Sequence, residues 1–411
     1  MRNRILTLMA VWGLALSTFA ARVETDRTWY LAGEVMRVSV ETDPALTAYA
    51  ELCDTQGMAA GVVMSLHEGK GSGTIELPAE LHSGYYVLSV YTRDNANVAQ
   101  QLVAVVNPLR KSVDDDVEWV KLADPESESF ATTDVSPNTF LLPPSSKPVD
   151  VCETEGHVIR ARIKNVYDGR TFKGSEITPS LSIIGKQIHY FEGKMENDSM
   201  AVFNTYGIHG KQPLVLSAVT STGVSLPIEM KSPFAVLLPK ALPHLVFHYK
   251  RSEVEARSLE MQRHQKAVKE QPAVVPLDYD DTVYGTKPDL SYNLDEYRQF
   301  LTIREVLIEY VICVSKRKVN DVQKLFVSLD QIPNVNSWPS LVLIDGMPVI
   351  DVERLLSYDA RRIHHINIYG GQYTFGHGVY NGILSFITRS GQLTNYPTER
   401  NTQYLVYDFP E

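Results

Sequence analysis

The 411-residue chain has 3 cysteines, too few for a disulfide-stapled scaffold. Cys53 and Cys313 fall in apolar, strand-like runs and are expected as buried thiols. Cys152 lies at the edge of a candidate domain, and no disulfide is expected. Positive charge is not in surplus: 39 Lys and Arg stand against 49 Asp and Glu, a formal net charge of -10. Phosphates could not be neutralised at scale, which argues against nucleic acid as a partner. Apolar runs long enough to span a bilayer are missing. The run at 5–16 is a helix of roughly 18 Å against a hydrocarbon core of roughly 30 Å. Arg2 and Arg4 precede it and small residues at 17–21 follow. This is the pattern of a secretory signal peptide, expected over 1–21, and no cysteine follows to carry a lipid. The expected product is exported, periplasmic or outer-membrane-associated, and does not span the membrane.

Catalytic signatures are missing as well. The chain has no HExxH, G-x-S-x-G, P-loop or CxxC pattern, and His67-Glu68 has no second histidine four residues on. His364 and His365 are adjacent on an expected strand, where side chains alternate, so they are not expected to share an ion with each other or with His377. Gly376-His377-Gly378 reads as a hairpin turn. The acidic run Asp114-Asp115-Asp116 lacks the spacing and glycine of a calcium loop. No catalytic residue, metal site or cofactor is expected.

What the chain does have is 44% hydrophobic and 21% charged residues, enough for sizeable cores in between about one and four domains. Residues 22–108 carry strand-like runs at 35–40, 48–53, 60–66, 73–77, 84–91 and 100–106, spaced as in a β-sandwich. The opening Thr25-Asp26, Tyr30 and Gly33-Glu34, with Leu77-Pro78 and Gly84-Tyr85-Tyr86-Val87-Leu88 later, resembles the second macroglobulin-type domain of the alpha-2-macroglobulin family. The resemblance implies an immunoglobulin-like sandwich. That family's protease traps carry a Cys–Gln thioester, and Cys53-Asp54-Thr55-Gln56 has the spacing without the flanking Gly and Glu. The spacing is read as coincidence.

Residues 109–150 are acidic, then rich in Pro and Ser, and read as a linker. A second β-sandwich is expected over 151–238, with glycines marking its turns. Over 239–292 a helix and an extended connector are expected. Ser252-x-x-Glu255 forms a capping box, Glu253 and Arg257 an i,i+4 pair, and sparse apolar positions leave the helix exposed or against a partner.

The densest pattern is 338–391. A four-residue apolar strand, 341–344, is followed by the turn Asp345-Gly346. Pro348 should bar a return to the ladder. Asp351 should cap a helix along which Val352, Leu355, Leu356, Ala360 and Ile363 recur. Upstream, Thr302-x-x-Glu305 is a capping box, with Leu301 and Val306 as its hydrophobic staple, and Asn320-Asp321 turns a hairpin. The order Ile344-Asp345-Gly346, Pro348, Ile368-Tyr369-Gly370, Asn381-Gly382-Ile383, Thr388 and Gly391 resembles the plug of TonB-dependent outer-membrane receptors, especially the starch-uptake (SusC/RagA-like) group. It departs from that group at 361–365, where Arg361-Arg362-Ile363-His364-His365 replaces small residues. Such receptors continue into a barrel of about 22 strands of about 10 residues. Here 20 residues follow Gly391 in the 411-residue chain, so a plug-like unit over 293–395 without its barrel, then a tail over 396–411, is expected.

The expected fold class is therefore two all-β sandwiches followed by an α+β plug-like domain. The expected function is a non-enzymatic envelope binding module whose partner is an envelope or outer-membrane protein. The alternatives are direct binding of a glycan or peptide, or an enzyme with no recognisable motif. Asp198-Ser199-Met200 and Asp281-Thr282-Val283 also match a short O-glycosylation signal.

Overall fold

The computed structural model describes residues 21–410 apart from 44, 94–97, 111–116, 124–126, 134–152, 154–155, 186–187, 271–286, 330–337, 392, 394–395 and 397–398. The expected leader, Cys152, the Asp114–116 run and Thr282 lie outside the described residues.

Residues 22–106 form a two-sheet sandwich. Arg22–Thr25, Val35–Glu41 and Lys70–Glu76 make one sheet; Trp29–Leu31, Val98–Val106, Gly84–Tyr91, Thr47–Cys53 and Met58–Ser65 make the other. Met36, Val38, Leu52, Leu88 and Val103 fill the space between them. The residues of the macroglobulin-like opening tie their own loop. Asp26 Oδ1 accepts from the Tyr30 hydroxyl at 2.6 Å and from Arg37 N at 2.9 Å, Thr25 Oγ1 donates to the Arg27 carbonyl at 2.7 Å, and Glu34 Oε2 accepts from Leu31 N at 2.8 Å.

The outer face of the five-stranded sheet is covered in a way the sequence did not announce. Val117–Lys121 and Phe130–Thr132, inside the expected linker, pair on either side of Leu245–Tyr249. Together with helix α1 (Arg251–Glu270) they bury Trp29, Leu31, Leu245, Phe247 and Val254. The helix is thus neither exposed nor free. Arg257 bonds Glu34 at 2.5 Å rather than Glu253, and its guanidinium lies 3.7 Å from the Trp29 ring centre. Glu253 accepts from Ser129 N at 2.8 Å, while Arg251 pairs with Glu255 one turn on. Few apolar positions suffice because a half-buried charge pair and a cation–π contact fill the contact face.

The second sandwich joins Lys194–Asn197, Met200–Thr205, His157–Ile163 and Ile228–Met230 in one sheet. Its other sheet is Tyr190–Glu192, Ile177–Ile183, Gly210–Thr220 and Gln403–Phe409. The last strand corrects the expected tail. Gln403–Phe409 pairs with Gly210–Thr220 over seven registered positions, and Tyr407 and Phe409 enter the core with Phe203, Leu214 and Leu216. The strand is held because these inward side chains complete a core begun far upstream; the bond from Tyr407 to His157 spans 250 positions.

The two sandwiches meet on buried polar groups. The Glu153 Oε1 atom accepts from Tyr49 OH (2.6 Å) and Arg93 Nη1 (3.1 Å), and lies 3.2 Å from His157 Nδ1. His157 Nε2 pairs with Tyr407 OH at 2.6 Å. Beside them the buried Glu51 carboxylate receives Tyr91 OH and Val236 N, both at 3.0 Å, and Leu237 N, pinning the segment that leaves the second sandwich.

The C-terminal unit is a mixed sheet ordered Leu290–Asn293, Ile363–Phe375, Gly378–Thr388, Leu341–Ile344, Met347–Pro348, with the third and fourth strands parallel. Helices α2 (Ile303–Glu309) and α3 (Val352–Leu356) cover one face. The Thr302–Glu305 box forms on both sides and Asp351 caps α3. Four details differ from expectation. Leu301 is 64% exposed, so no staple forms with buried Val306. Pro348 does return to the ladder opposite Leu343, on the edge where its missing N–H is tolerated. The helix after Asp351 stops at Leu356 and resumes as a 3-10 turn at Ala360–Arg362. The sheet begins at Leu290, inside the expected connector.

Candidate functional site

The outward face of Ile177–Ile183 and Gly210–Thr220 carries the hydroxyls Thr178, Ser180, Ser182 and Ser217 together with Val215 and Val219, the alternate positions to those that fill the sandwich core. The C-terminal unit stands over this face. Leu341, Leu343, Tyr369 and Ile383 pack there with Ile188 and Tyr190.

Two turns clamp it. At one end the Asp345-Gly346 turn meets the second sandwich. Gly185 N donates to the Asp345 carbonyl at 3.3 Å. Gly346 has φ +81°, and a Cβ there would run into the Ile183 carbonyl oxygen. The Asp345 side chain faces inward, accepting from Thr388 N (2.8 Å), Thr388 Oγ1 (2.5 Å) and Leu393 N (2.8 Å). Burial pushes its carboxyl above the ordinary aspartate range despite these donors. At the other end the Gly376-His377 turn sits on Glu192: His377 N donates to the Glu192 carbonyl at 3.2 Å, and Cβ atoms on Gly376 or Gly378 would strike Glu192. Tyr380 OH donates to Glu192 Oε2 at 2.6 Å and lies 2.9 Å from Tyr190 OH. Burial raises the Glu192 carboxyl as well.

Between the clamps lies a cleft of about 490 Å³. Ser180 and Ser217, with Oγ atoms 2.7 Å apart, belong to its floor; Lys324 and Trp338 belong to its C-terminal wall. Trp338 is 44% exposed. Burial lowers the Lys324 ammonium pKa, and among the described residues no carboxylate pairs with it. The groove continues past Ile350 and Val352 into a more open half of about 530 Å³ that carries Asp321, Asp351 and Glu353.

Of the residues that carry the plug-like pattern, Pro348 lines the cleft. Ile344, Asp345 and Gly346 form the adjoining clamp, with Thr388 and Gly391 beside them. Tyr369, Gly370, Asn381 and Gly382 gather at the far end of the sheet. There Gly370 N donates to Asp289 Oδ2 at 2.6 Å and Ser340 Oγ donates to the Asn381 carbonyl at 2.5 Å. Thr25, Asp26, Tyr30, Gly33 and Glu34 lie apart, on the first sandwich, where Gly33 and Glu34 receive α1. The cleft residues Lys324, Trp338, Glu192, Tyr380, Ser180 and Ser217 were not singled out in the sequence. The hydroxyl stripe was visible as outward positions of alternating strands, but what would cover it was not.

Other expected sites are placed as follows. Cys53 is buried, its thiol pushed up to about 12 by burial, while Gln56 is exposed in an Asx turn closed by Asp54. Cys313 is half-buried, and both thiols are free. His364 and His365 do not point apart. A register shift beside them brings their Nδ1 atoms to 3.0 Å, and His364 Nε2 lies 3.5 Å from Asp295. Among the described residues no three potential ligands gather as a metal site. Ser199 sits in the turn between Lys194–Asn197 and Met200–Thr205, donating to Asn197 Oδ1. No described helix is long and apolar enough to cross a membrane.

A scan of protein-family models finds no match, and a search of curated proteins finds none. Among solved structures, the BSP domain of a biofilm-associated protein is similar at 11% identity, over 53% of this chain and 29% of that one, with TM-score 0.18. Native alpha-2-macroglobulin of Escherichia coli is similar at 10% identity, over 52% of this chain and 14% of that one, with TM-score 0.20. Tandem immunoglobulin domains of titin are similar at 9% identity, over 52% of this chain and 96% of that one, with TM-score 0.15. The first two are matched over less than a third of their own length. The likeness is a coarse one to macroglobulin-like and immunoglobulin-like β-sandwiches, and the structures named include no receptor plug.

Proposed function

We propose that the protein is an exported, non-enzymatic binding component of a cell envelope, periplasmic or outer-membrane-associated, that docks an envelope protein along the groove between its second sandwich and C-terminal unit. In this reading 22–108 is a macroglobulin-type module and 293–395 is related to a receptor plug. The observation that carries it is the groove with both walls fixed: the Asp345-Gly346 turn holds one end and the Gly376-His377 turn the other. Walls set in advance lower the ordering penalty of binding. The carboxylates at the two clamps are engaged in holding the walls, Glu192 by Tyr380 and Asp345 by Thr388. The leader-like pattern at 1–21 supports export.

The test is a photo-reactive residue at position 379, which is 36% exposed on the cleft rim, in cells that make the protein natively. Irradiation is expected to yield an adduct with an envelope protein, identified by mass spectrometry. Adducts with cytoplasmic chains, or none above an unmodified control, would overturn the reading.

A further inference from the structure

We infer that the cleft is a binding site for a single acidic sugar residue, its anionic group placed on Lys324. It rests on the docking reading and names the group that fills the cleft there: a sugar carried by the docked envelope protein. Three observations point the same way. First, Lys324 lines the cleft wall partly buried, and no carboxylate among the described residues pairs with it. A partly desolvated cation without a counterion is satisfied by an anion from outside. Second, the floor is a set of hydroxyls. Thr178, Ser180, Ser217 and Ser221 line the cleft from one sheet and its following turn. Hydroxyls both donate and accept, which matches the hydroxyls of a sugar ring. Third, Trp338 lines the same wall half-exposed, and an indole is the kind of flat apolar surface on which a pyranose ring's C–H face packs.

Size and charge set the length of the ligand. A cleft of about 490 Å³ falls in the range of small-molecule sites. The adjoining half carries Asp321, Asp351, Glu353 and Glu399 against Arg354 and Arg400. A run of anionic residues would be repelled there, so one acidic residue at the Lys324 end, followed by neutral ones, is the fit. Glu192, bound to Tyr380, and the His377 side chain also line the cleft.

The test is calorimetric titration of the full chain, with tryptophan fluorescence in parallel. The probes are a glucuronate-terminated disaccharide, the same disaccharide with its carboxyl reduced to an alcohol, a sulfated counterpart, and a glutamate dipeptide. The uronate is expected to bind about tenfold or more tighter than the reduced form, the difference one charge-assisted contact gives. Lys324→Gln should remove that advantage and leave the reduced form unchanged. A thermal melt checks its fold, which loss of a partly buried charge with no carboxylate partner among the described residues should not harm. Trp338→Leu should weaken the uronate and the reduced form alike. A sulfated probe that binds and loses affinity in Lys324→Gln supports the same anion site. The inference is overturned if no acidic saccharide binds, if wild type and Lys324→Gln do not differ, or if the glutamate dipeptide binds as tightly as the uronate. Any of these, with the crosslink at position 379 intact, leaves the envelope-docking reading standing.

Discussion

Glu153 is the residue on which the two sandwiches turn. Its side chain is 2% exposed, and Arg93, Tyr49 and His157 converge on one of its oxygens. Burial pushes its carboxyl up, but the bond with His157, the Arg93 charge and the Tyr49 hydroxyl more than offset this and hold it below the ordinary glutamate range. Glu153→Gln leaves the Arg93 guanidinium, 5% exposed, without its anion. Loss of one partner from a buried pair costs about 3–5 kcal/mol, and urea unfolding followed by tryptophan fluorescence should show it; a loss under about 1 kcal/mol would mean the pair is not what joins the sandwiches. A depressed folded pKa fixes the sign of the pH dependence. The contribution is present above the unfolded value, about 4.3, and is lost as pH falls through the lower folded value, because the unfolded chain then binds the extra proton. Wild type should therefore lose stability on acidification below about pH 4 more steeply than Glu153→Gln. Asp345 has the opposite sign: its folded pKa is raised, so its contribution declines as pH rises from about 3.9 through the folded value. Neither residue's role was legible in the sequence. Glu153 stood beside Cys152 at an apparent domain edge, and of its three partners only His157 is near in sequence; Arg93 and Tyr49 lie 60 and 104 positions away.

Elements were legible where their chemistry is local. The turns at Asn320-Asp321 and Asp345-Gly346 have positive φ at both residues, and the turn at Gly376-His377 joins its two strands directly, all as their residue types suggested. The α2 cap was legible for the same reason, since Thr302 and Glu305 are three residues apart and bond each other's backbone. Thr302→Ala should destabilise the C-terminal unit by about 1 kcal/mol. Leu301→Ala should change stability by less than about 0.5 kcal/mol, because Leu301 is exposed and no staple forms. Paired denaturation curves separate the two, and equal effects would restore the staple. Elements that depend on distant partners were not legible. Val117–Lys121 reads as linker because its ladder partner, Leu245–Tyr249, lies more than a hundred positions on, and α1 reads as exposed because its contact surface, Trp29 and Glu34, belongs to another unit.

At the scale of the molecule, the chain does not run as beads on a string. It leaves the second sandwich after Ile228–Met230 in one sheet, covers the first with Leu245–Tyr249 and α1, builds the C-terminal unit, and returns as Gln403–Phe409 to complete the other sheet of the same sandwich. The C-terminal unit is thus inserted between strands of the second sandwich, one end of the insertion leaving from each sheet, and its cleft lies against the sheet that Gln403–Phe409 completes. Period-2 alternation in Gln403–Phe409 is too short to reveal this; a seven-residue strand carries no mark of which sheet it joins. Removing 403–411 deletes Tyr407 and Phe409 from the core and Tyr407 from His157. Truncation of one large buried aromatic costs about 3–5 kcal/mol, and two approach the whole stability of a typical domain, about 5–15 kcal/mol. Hydrogen exchange on the truncated chain should therefore show protection lost across His157–Ile163 and Gly210–Thr220. It should persist across Leu341–Ile344 and Gly378–Thr388, whose core with α2 and α3 is their own. Affinity at the cleft should fall with the floor, since Ser217 lies on the strand that loses its neighbour. Uniform loss of protection would show that the C-terminal unit has no stability apart from the sandwich that holds it, and retained protection at Gly210–Thr220 would show that the returning strand is dispensable.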